Sequence, residues 1–220
     1  MNLKKYDKIA RLLKLIELGL LGFLTYYTTS KGQNINIWVL MSIYVLLFAV
    51  WIIDFSFNKL HTNNLDLLIK HFYEQNHFHS DADVRITIHK KINESRYKQH
   101  VDYYPSGAKR GKTHEIKKGI VKYAFKQTQG EFSENFVTIE EKVEKLMNKY
   151  NFRKEEADQQ VSDGELSYYC CPIMDDGKIW GVLYMNSKTL YTFPKQEELA
   201  NSQLSKNVKA LIKMIENEID

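Results

Sequence analysis

The chain divides by its hydrophobic pattern into two long apolar runs followed by a longer region in which apolar and polar residues alternate. Residues 35–53 contain no charged residue. At 1.5 Å per residue, a helix of that length measures about 28 Å, close to the hydrocarbon thickness of a bilayer. The earlier run, 12–27, is apolar around the whole helix except at Lys14 and Glu17. The pattern predicts a two-helix transmembrane hairpin with spans at about 10–29 and 35–54. An amphipathic helix on the membrane surface is the alternative for the first span.

The distribution of basic residues predicts how this hairpin is oriented. Five of them precede or open the first span, at Lys4, Lys5, Lys8, Arg11 and Lys14, whereas the connector between the spans carries Lys31 alone. Positive residues favour the cytoplasmic side of a membrane. We therefore expect a protein of the cell inner membrane with both termini in the cytoplasm. Its predicted parts are a transmembrane hairpin at 1–57 and a cytoplasmic domain at 58–220.

The second part combines helical and strand periodicities, which predicts an α+β fold. Apolar residues recur at helical spacing over Leu60–Phe78, and they alternate with polar residues over Val84–Ile92. Further elements follow along the chain. They are a hairpin-partner strand at Gln99–Tyr104, a basic loop at Ser106–Lys118, helices at Gly119–Gln127 and Val137–Tyr150, and a turn-rich stretch at Asn151–Glu165.

A hairpin near the end of the chain is the clearest local signal. Leu166–Met174 and Lys178–Asn186 are aromatic and apolar runs separated by Asp175-Asp176-Gly177. An Asp-Gly pair supplies the positive φ that a tight hairpin turn requires. We expect these segments to be central strands. A long helix at Lys195–Ile215 follows them, with an apolar stripe that suits either a core or a short coiled coil.

Composition adds limits on the chemistry of the chain. It has 220 residues, with 31 Lys and Arg against 27 Asp and Glu, a small excess that gives no reason to expect nucleic-acid binding. Cys170 and Cys171 are adjacent, so they form neither a disulfide framework nor a four-ligand zinc site. Successive strand residues point to opposite faces, which predicts one cysteine in the core and the other toward a pocket.

Neither phosphate-loop nor metal-site spacing is present in the two segments that suggest them. Gly107–Thr113 is similar to a phosphate-binding loop, but three residues rather than four separate its first glycine from the Gly-Lys pair. A group of acidic and histidine residues precedes the first predicted strand without an i, i+4 histidine pair or a cysteine partner, so we expect no metal there. Its members are His71, Glu74, His77, His79, Asp81 and Asp83.

The order of these elements resembles a GAF domain over about the last 155 residues. The resemblance is strongest in the hairpin SYYCCPIMDDGKIWGVLYMNSK and in TFPKQEEL, which opens the last helix. Family members often end with an Asn-Lys, Phe, Asp-Glu pattern that ties the last strand to the last helix. The corresponding residues here are Asn186, Lys188, Phe193, Glu197 and Glu198.

This resemblance implies an antiparallel sheet of about six strands, with helices on one face and a small-ligand pocket on the other. We expect six side chains in the pocket wall: Tyr103, Tyr123, Phe125, Phe136, Tyr168 and Met185. The basic loop offers three cations, Lys109, Arg110 and Lys112, which either contact an anionic ligand or belong to a solvated loop.

Together these features predict a membrane-anchored, non-enzymatic sensor that binds a small, anionic ligand and needs no cofactor. The expected partners are the membrane, a second copy of the chain and either a ligand or a partner protein, without nucleic acid. Leu60–Phe78 and Leu204–Ile215 are the expected dimer surface. Two alternatives remain. The domain is a docking module whose pocket is filled by its own side chains, or a membrane effector of a bacterial defence system triggered by nucleotide messengers.

Overall fold

A computed structural model of the chain describes residues 3–31, 37–78, 83–106, 110–126 and 130–219. They form two compact units, one of residues 1–64 with 218–220 and one of residues 65–217. The helices are α1 (Leu3–Lys31), α2 (Ile37–Gln75), α3 (Ile120–Lys126), α4 (Ile139–Asn148), α5 (Lys154–Ser162), α6 (Gln196–Leu199) and α7 (Gln203–Ile219). The strands are β1 (Arg85–Asn93), β2 (Arg96–Gln99), β3 (Thr113–Glu115), β4 (Phe132–Asn135), β5 (Ser167–Asp175) and β6 (Lys178–Ser187).

The helices of the first unit contradict the predicted membrane hairpin. Within the described residues, neither α1 nor α2 combines the length and the apolarity that a bilayer-spanning helix needs. Lys14 and Glu17 interrupt the apolar run of α1. In α2 the run from Ile37 ends at Asp54, short of the roughly 20 apolar residues that cross a hydrocarbon core. The predicted spans at about 10–29 and 35–54 are therefore wrong, and so is the inner-membrane location drawn from them.

The second unit contains the six-stranded antiparallel sheet expected from the resemblance. Its strand order is β3-β2-β1-β6-β5-β4, with β5 and β6 adjacent at the centre. The Asp-Gly hairpin prediction is confirmed, because Asp176 and Gly177 adopt φ values of 47° and 75° between these two strands. The predicted strand at Val84–Ile92 is also confirmed as β1.

Several elements differ from the predicted ones. The stretch predicted as turns contains α5, which buries only Ala157 and therefore shows little apolar periodicity. The short strands β3 and β4 were not predicted. The predicted terminal helix is two helices, α6 and α7, since the Ser202 hydroxyl accepts a hydrogen bond from the Ser205 backbone N–H at 3.0 Å and caps α7.

The two faces of the sheet have different surroundings. We call the first the closed face: on it Ile86, Ile88, Leu183 and Met185 are wholly buried. Helix α7 lies against this side, where Glu216 accepts a hydrogen bond from the Met174 backbone N–H at 3.1 Å. The opposite face is the cavity face. Residues of α3, α4 and α5 pack on it around the side chains Tyr97, Phe132, Tyr168, Cys170, Val182 and Tyr184.

Candidate functional site

A cavity of about 940 Å³ lies on the cavity face of the sheet. Its floor comes from β1, β2, β5 and β6. Its wall comes from β3, the segment that leads into α3, the first residues of α3, Leu146 of α4, and residues 151–160 before and within α5. A volume of this size suits a small-molecule ligand. The side chains that give the cavity its chemistry are His89, Tyr97, Tyr103, His114, Tyr168 and Tyr184.

His89 is the most unusual of these side chains. Its imidazole is 4% exposed, and its Nδ1 atom has no hydrogen-bond partner within the described part of the chain. Burial, reinforced by the nearby His114, lowers the pKa of His89 to about 3. The ring is therefore neutral at physiological pH. An unsatisfied buried polar atom costs about 1–3 kcal/mol, so His89 is a candidate for ligand contact.

Tyrosine rings surround this imidazole edge-on. The ring centroids of Tyr97 and Tyr184 lie 5.1 and 5.5 Å from that of His89, and Tyr103 lies 6.5 Å away. On its other side Tyr97 stacks on His114 at 5.2 Å. Burial raises the pKa of Tyr97 to about 12, so its hydroxyl stays protonated. The wall is therefore aromatic and uncharged but carries polar hydroxyl groups.

Charged residues line the outer part of the cavity. Lys117 pairs with Glu115 at 2.9 Å, Lys118 pairs with Glu156, and Arg153 lies 3.7 Å from the same Glu156 carboxylate. Three cations thus share two carboxylates. This leaves one positive charge in excess among the paired groups at the cavity mouth.

A buried polar network adjoins Tyr103 and Tyr168. Arg85 donates to the carboxylate of Glu165 and its guanidinium lies 5.6 Å from the Tyr103 ring centre. Glu165 also accepts a hydrogen bond from Asn186 at 2.9 Å. Burial raises the pKa of Glu165 despite the opposing charge of Arg85. Lys142, which is 1% exposed, donates to the Glu165 backbone oxygen at 2.6 Å.

The predicted wall residues occupy three places. Tyr103 and Tyr168 line the cavity. Tyr123, Phe125 and Phe136 belong to the hydrophobic cluster beside it. Met185 lies on the closed face, because it pairs in register with Ile86 and Tyr169 rather than with the residues that line the cavity.

The predicted basic lid has other partners. Arg110 donates to Asp66 of α2 at 2.5 Å and lies 3.3 Å from Asp102. Lys112 is exposed and outside the cavity lining, and Lys109 lies outside the described residues. The cations at the cavity are instead Lys117, Lys118 and Arg153.

Several site residues were not singled out from the sequence. His89 follows Val84, Ile86 and Ile88 on the polar phase of an alternating strand, and this position is a signal that it faces away from the apolar side. Tyr184 occupies the same phase of its strand as Val182. No local signal marks His114 or Arg153, whose place at the cavity depends on tertiary packing.

The two cysteines lie on opposite faces, as the alternation predicted. Cys170 belongs to the cluster beside the cavity, while Cys171 lies near Lys209 and Glu216 of α7. Both are free and buried, and burial raises the pKa of Cys171 to about 12. A thiol that resists ionisation is a poor nucleophile. Among the described residues, no three His, Cys, Asp or Glu side chains form a metal-binding group; His79 and Asp81 lie outside these residues.

No family model and no curated protein match this sequence, whereas solved structures of similar fold exist. The GAF domain of a two-component sensor histidine kinase from Bacillus halodurans is 20% identical over 69% of this chain and 95% of that one, with a TM-score of 0.45. The type II free methionine-R-sulfoxide reductase from Thermoplasma acidophilum is 11% identical over 71% and 95%, with a TM-score of 0.45. The PixJ GAF domain from Thermosynechococcus elongatus, in its blue-light-absorbing form, is 12% identical over 72% and 86%, with a TM-score of 0.46.

These likenesses are too distant to assign a function. The six-stranded antiparallel sheet with flanking helices itself fits a GAF-like fold. The prediction that the protein is not an enzyme is nevertheless wrong as an inference from this fold. Structures of free methionine-R-sulfoxide reductases are among the similar ones, so the fold is compatible with enzymatic activity.

Proposed function

We propose that residues 65–217 form a small-molecule-binding regulatory domain whose ligand occupies the cavity beside His89. The observation that carries this proposal is the unpartnered Nδ1 of a buried imidazole that lines a cavity of about 940 Å³. Concave sites with aromatic walls and a few convergent polar groups are typical of ligand pockets. A docking module filled by its own side chains would leave less open volume.

Strand β3, at the cavity mouth, provides a route by which ligand binding affects the rest of the domain. His114 of β3 lines the cavity, and the connection from β2 to β3 includes Arg110, which bonds to Asp66 of α2. A ligand that moves β3 would therefore strain or relax this ion pair. A ligand shifts such an equilibrium only by its difference in affinity for the two arrangements.

The test combines a ligand search with a variant that fills the cavity. Gln160 is an exposed residue of α5 that lines the cavity, and we expect Gln160→Trp to obstruct it without disturbing the core. The full-length chain is screened by thermal shift against panels of nucleotides, amino acids and aromatic acids, and hits are measured by calorimetry. We expect at least one ligand to bind the native chain and to lose tenfold or more in affinity with Gln160→Trp.

The matched control is Gln159→Trp, one residue earlier in the same helix and outside the cavity lining. It should leave ligand affinity unchanged. A ligand that binds both variants equally well occupies another site, and a native chain without ligands in any panel contradicts the proposal.

A further inference from the structure

The neutral imidazole of His89 restricts the chemistry of a ligand in this cavity. A neutral histidine has one donor and one acceptor nitrogen. A hydroxyl group both donates and accepts, so it can satisfy Nδ1 whichever tautomer is present. Nδ1 has no partner within the described residues, the atom is itself shielded from solvent, and the ring is 4% exposed. A ligand in the cavity therefore reaches Nδ1 only when a neighbouring tyrosine ring turns aside, and it would then pair with Nδ1 out of contact with bulk water.

The wall favours an aromatic ligand body. Tyr97 and Tyr184 present their rings edge-on to His89 at 5.1 and 5.5 Å between centroids, and Tyr103 lies beyond them. Aromatic rings pack well in edge-to-face and offset arrangements over such surfaces. A planar ring is therefore better matched to this wall than a flexible aliphatic chain.

The mouth of the cavity favours an acid. Lys117, Lys118 and Arg153 share the carboxylates of Glu115 and Glu156, so one cation lacks a carboxylate of its own within this group. Arg153 is the most exposed of the three, at 82% of its side chain, and is free to turn toward an anion. Arginine and lysine bind carboxylate and phosphate groups through charge-assisted hydrogen bonds.

We propose that the cavity, if it is the ligand site put forward above, binds aromatic acids. A ring hydroxyl pairs with His89, the ring lies against Tyr97 and Tyr184, and a carboxylate or phosphate group meets Lys117 and Arg153. This proposal rests on the proposed function and specifies the ligand class of the same site.

Four probes separate the parts of this ligand. Calorimetry on the full-length chain compares 4-hydroxybenzoate, which carries both groups, with benzoate, which lacks the hydroxyl, and with phenol, which lacks the acid. Phenyl phosphate, compared with benzoate, tells a phosphate site from a carboxylate site. We expect 4-hydroxybenzoate to bind at least fivefold more tightly than benzoate and at least fivefold more tightly than phenol.

Two variants assign these differences to named residues. His89→Phe keeps an aromatic ring but removes the polar atoms, and it should abolish the advantage of 4-hydroxybenzoate over benzoate. Arg153→Gln should reduce the advantage over phenol. The matched controls are His100→Phe and Lys213→Gln, whose residues lie outside the cavity lining. Both should keep native affinities.

A measurement on the native chain covers the case in which His89→Phe does not fold. The ¹⁵N signals of the His89 ring should shift when 4-hydroxybenzoate is added and stay unchanged with benzoate. Equal affinities for all four probes, or unchanged His89 signals with bound 4-hydroxybenzoate, would overturn the proposal. If these probes fail while other panel molecules bind and are blocked by Gln160→Trp, the ligand class is wrong and the proposed function stands. If no molecule binds, both fail.

Discussion

The two faces of the sheet are packed differently. On the closed face, Ile86, Leu183 and Met185 are wholly buried and α7 lies against the sheet, with Glu216 bonded to β5. On the cavity face, β1 presents His89 instead, beside a cavity of about 940 Å³. Side chains of the same strands therefore serve stability on one side and an open site on the other.

This difference indicates that the open site lowers the folding stability of the domain. Dispersion contacts are lost wherever a side chain borders a void, and a buried polar atom without a partner adds a desolvation cost. The cavity face has both features, at Leu146, which lines the void, and at His89. On the closed face, Ile86, Leu183 and Met185 do not line this cavity. Mutations of equal chemistry should therefore have unequal effects on the two sides.

A matched pair of leucines gives the largest expected contrast. Leu183 is wholly buried on the closed face, and Leu146 is 2% exposed but lines the cavity. Leu→Ala substitutions in protein cores cost about 2–5 kcal/mol, increasing with the size of the void they leave. We expect Leu183→Ala to lower the free energy of unfolding by about 4 kcal/mol and Leu146→Ala by about 2.5 kcal/mol. Urea denaturation of both variants measures this, and equal losses would mean that the two faces are equally well packed.

A buried carboxylate provides the second contrast. Burial alone would raise the pKa of Glu134, but hydrogen bonds from Lys145, Lys149 and Tyr150 outweigh it and hold the pKa below the usual value of 4.5. Its folded-state pKa is thus lower than its unfolded one. The stabilisation is present above about pH 4.5 and is lost as pH falls through the folded-state value.

We expect Glu134→Gln to cost about 2 kcal/mol at pH 7, since both lysines are more than a third exposed and their attraction is partly screened. The cost should shrink between pH 4.5 and pH 3. Denaturation of native and variant chains across this range checks it. Glu131 is the matching carboxylate beside the closed face. Hydrogen bonds from Ser205, Tyr169 and Lys209 lower its pKa against the effect of burial, as those around Glu134 do. If Glu134→Gln lowered the free energy of unfolding by the same amount at every pH, the Glu134 carboxylate would not be ionised in the folded chain as we infer.

The elements that the sequence predicted are those with a strong local signal. Alternating apolar residues located β1, and the Asp-Gly pair located the turn between β5 and β6. Helix α5 was missed because it buries a single residue, Ala157, and β4 because its four residues, FSEN, are mostly polar. Local patterns do not record packing that depends on distant partners.

The site was harder to predict for the same reason. Alternation separates Met185 from Tyr184 but does not tell which of the two faces the cavity. Arg110 was expected at the ligand, yet its partner Asp66 lies 44 positions away in the chain. The role of His89 depends on what surrounds its Nδ1 atom, which is a property of the folded domain alone.

The smallest expected effect is the pH dependence of stability that comes from the buried His89 on the cavity face. Burial lowers its pKa to about 3, below the unfolded value of 6.5. The unfolded chain therefore binds a proton that the folded chain does not, and stability falls as pH decreases below about 6.5. Tyr97, Tyr103 and Tyr184 surround the ring as neutral groups, and His114 is the nearby group that can carry positive charge.

Between pH 6.5 and pH 5, this linkage should remove about 1.5 kcal/mol from the free energy of unfolding. Burial also raises the pKa of Glu165 and lowers that of His114, so both groups contribute to the measured slope, and the quantity that tests His89 is the part of the slope that His89→Phe removes. Were the native slope to persist in His89→Phe, the imidazole of His89 would have to be charged or solvated in the folded chain, and the cavity would not contain an unsatisfied buried nitrogen.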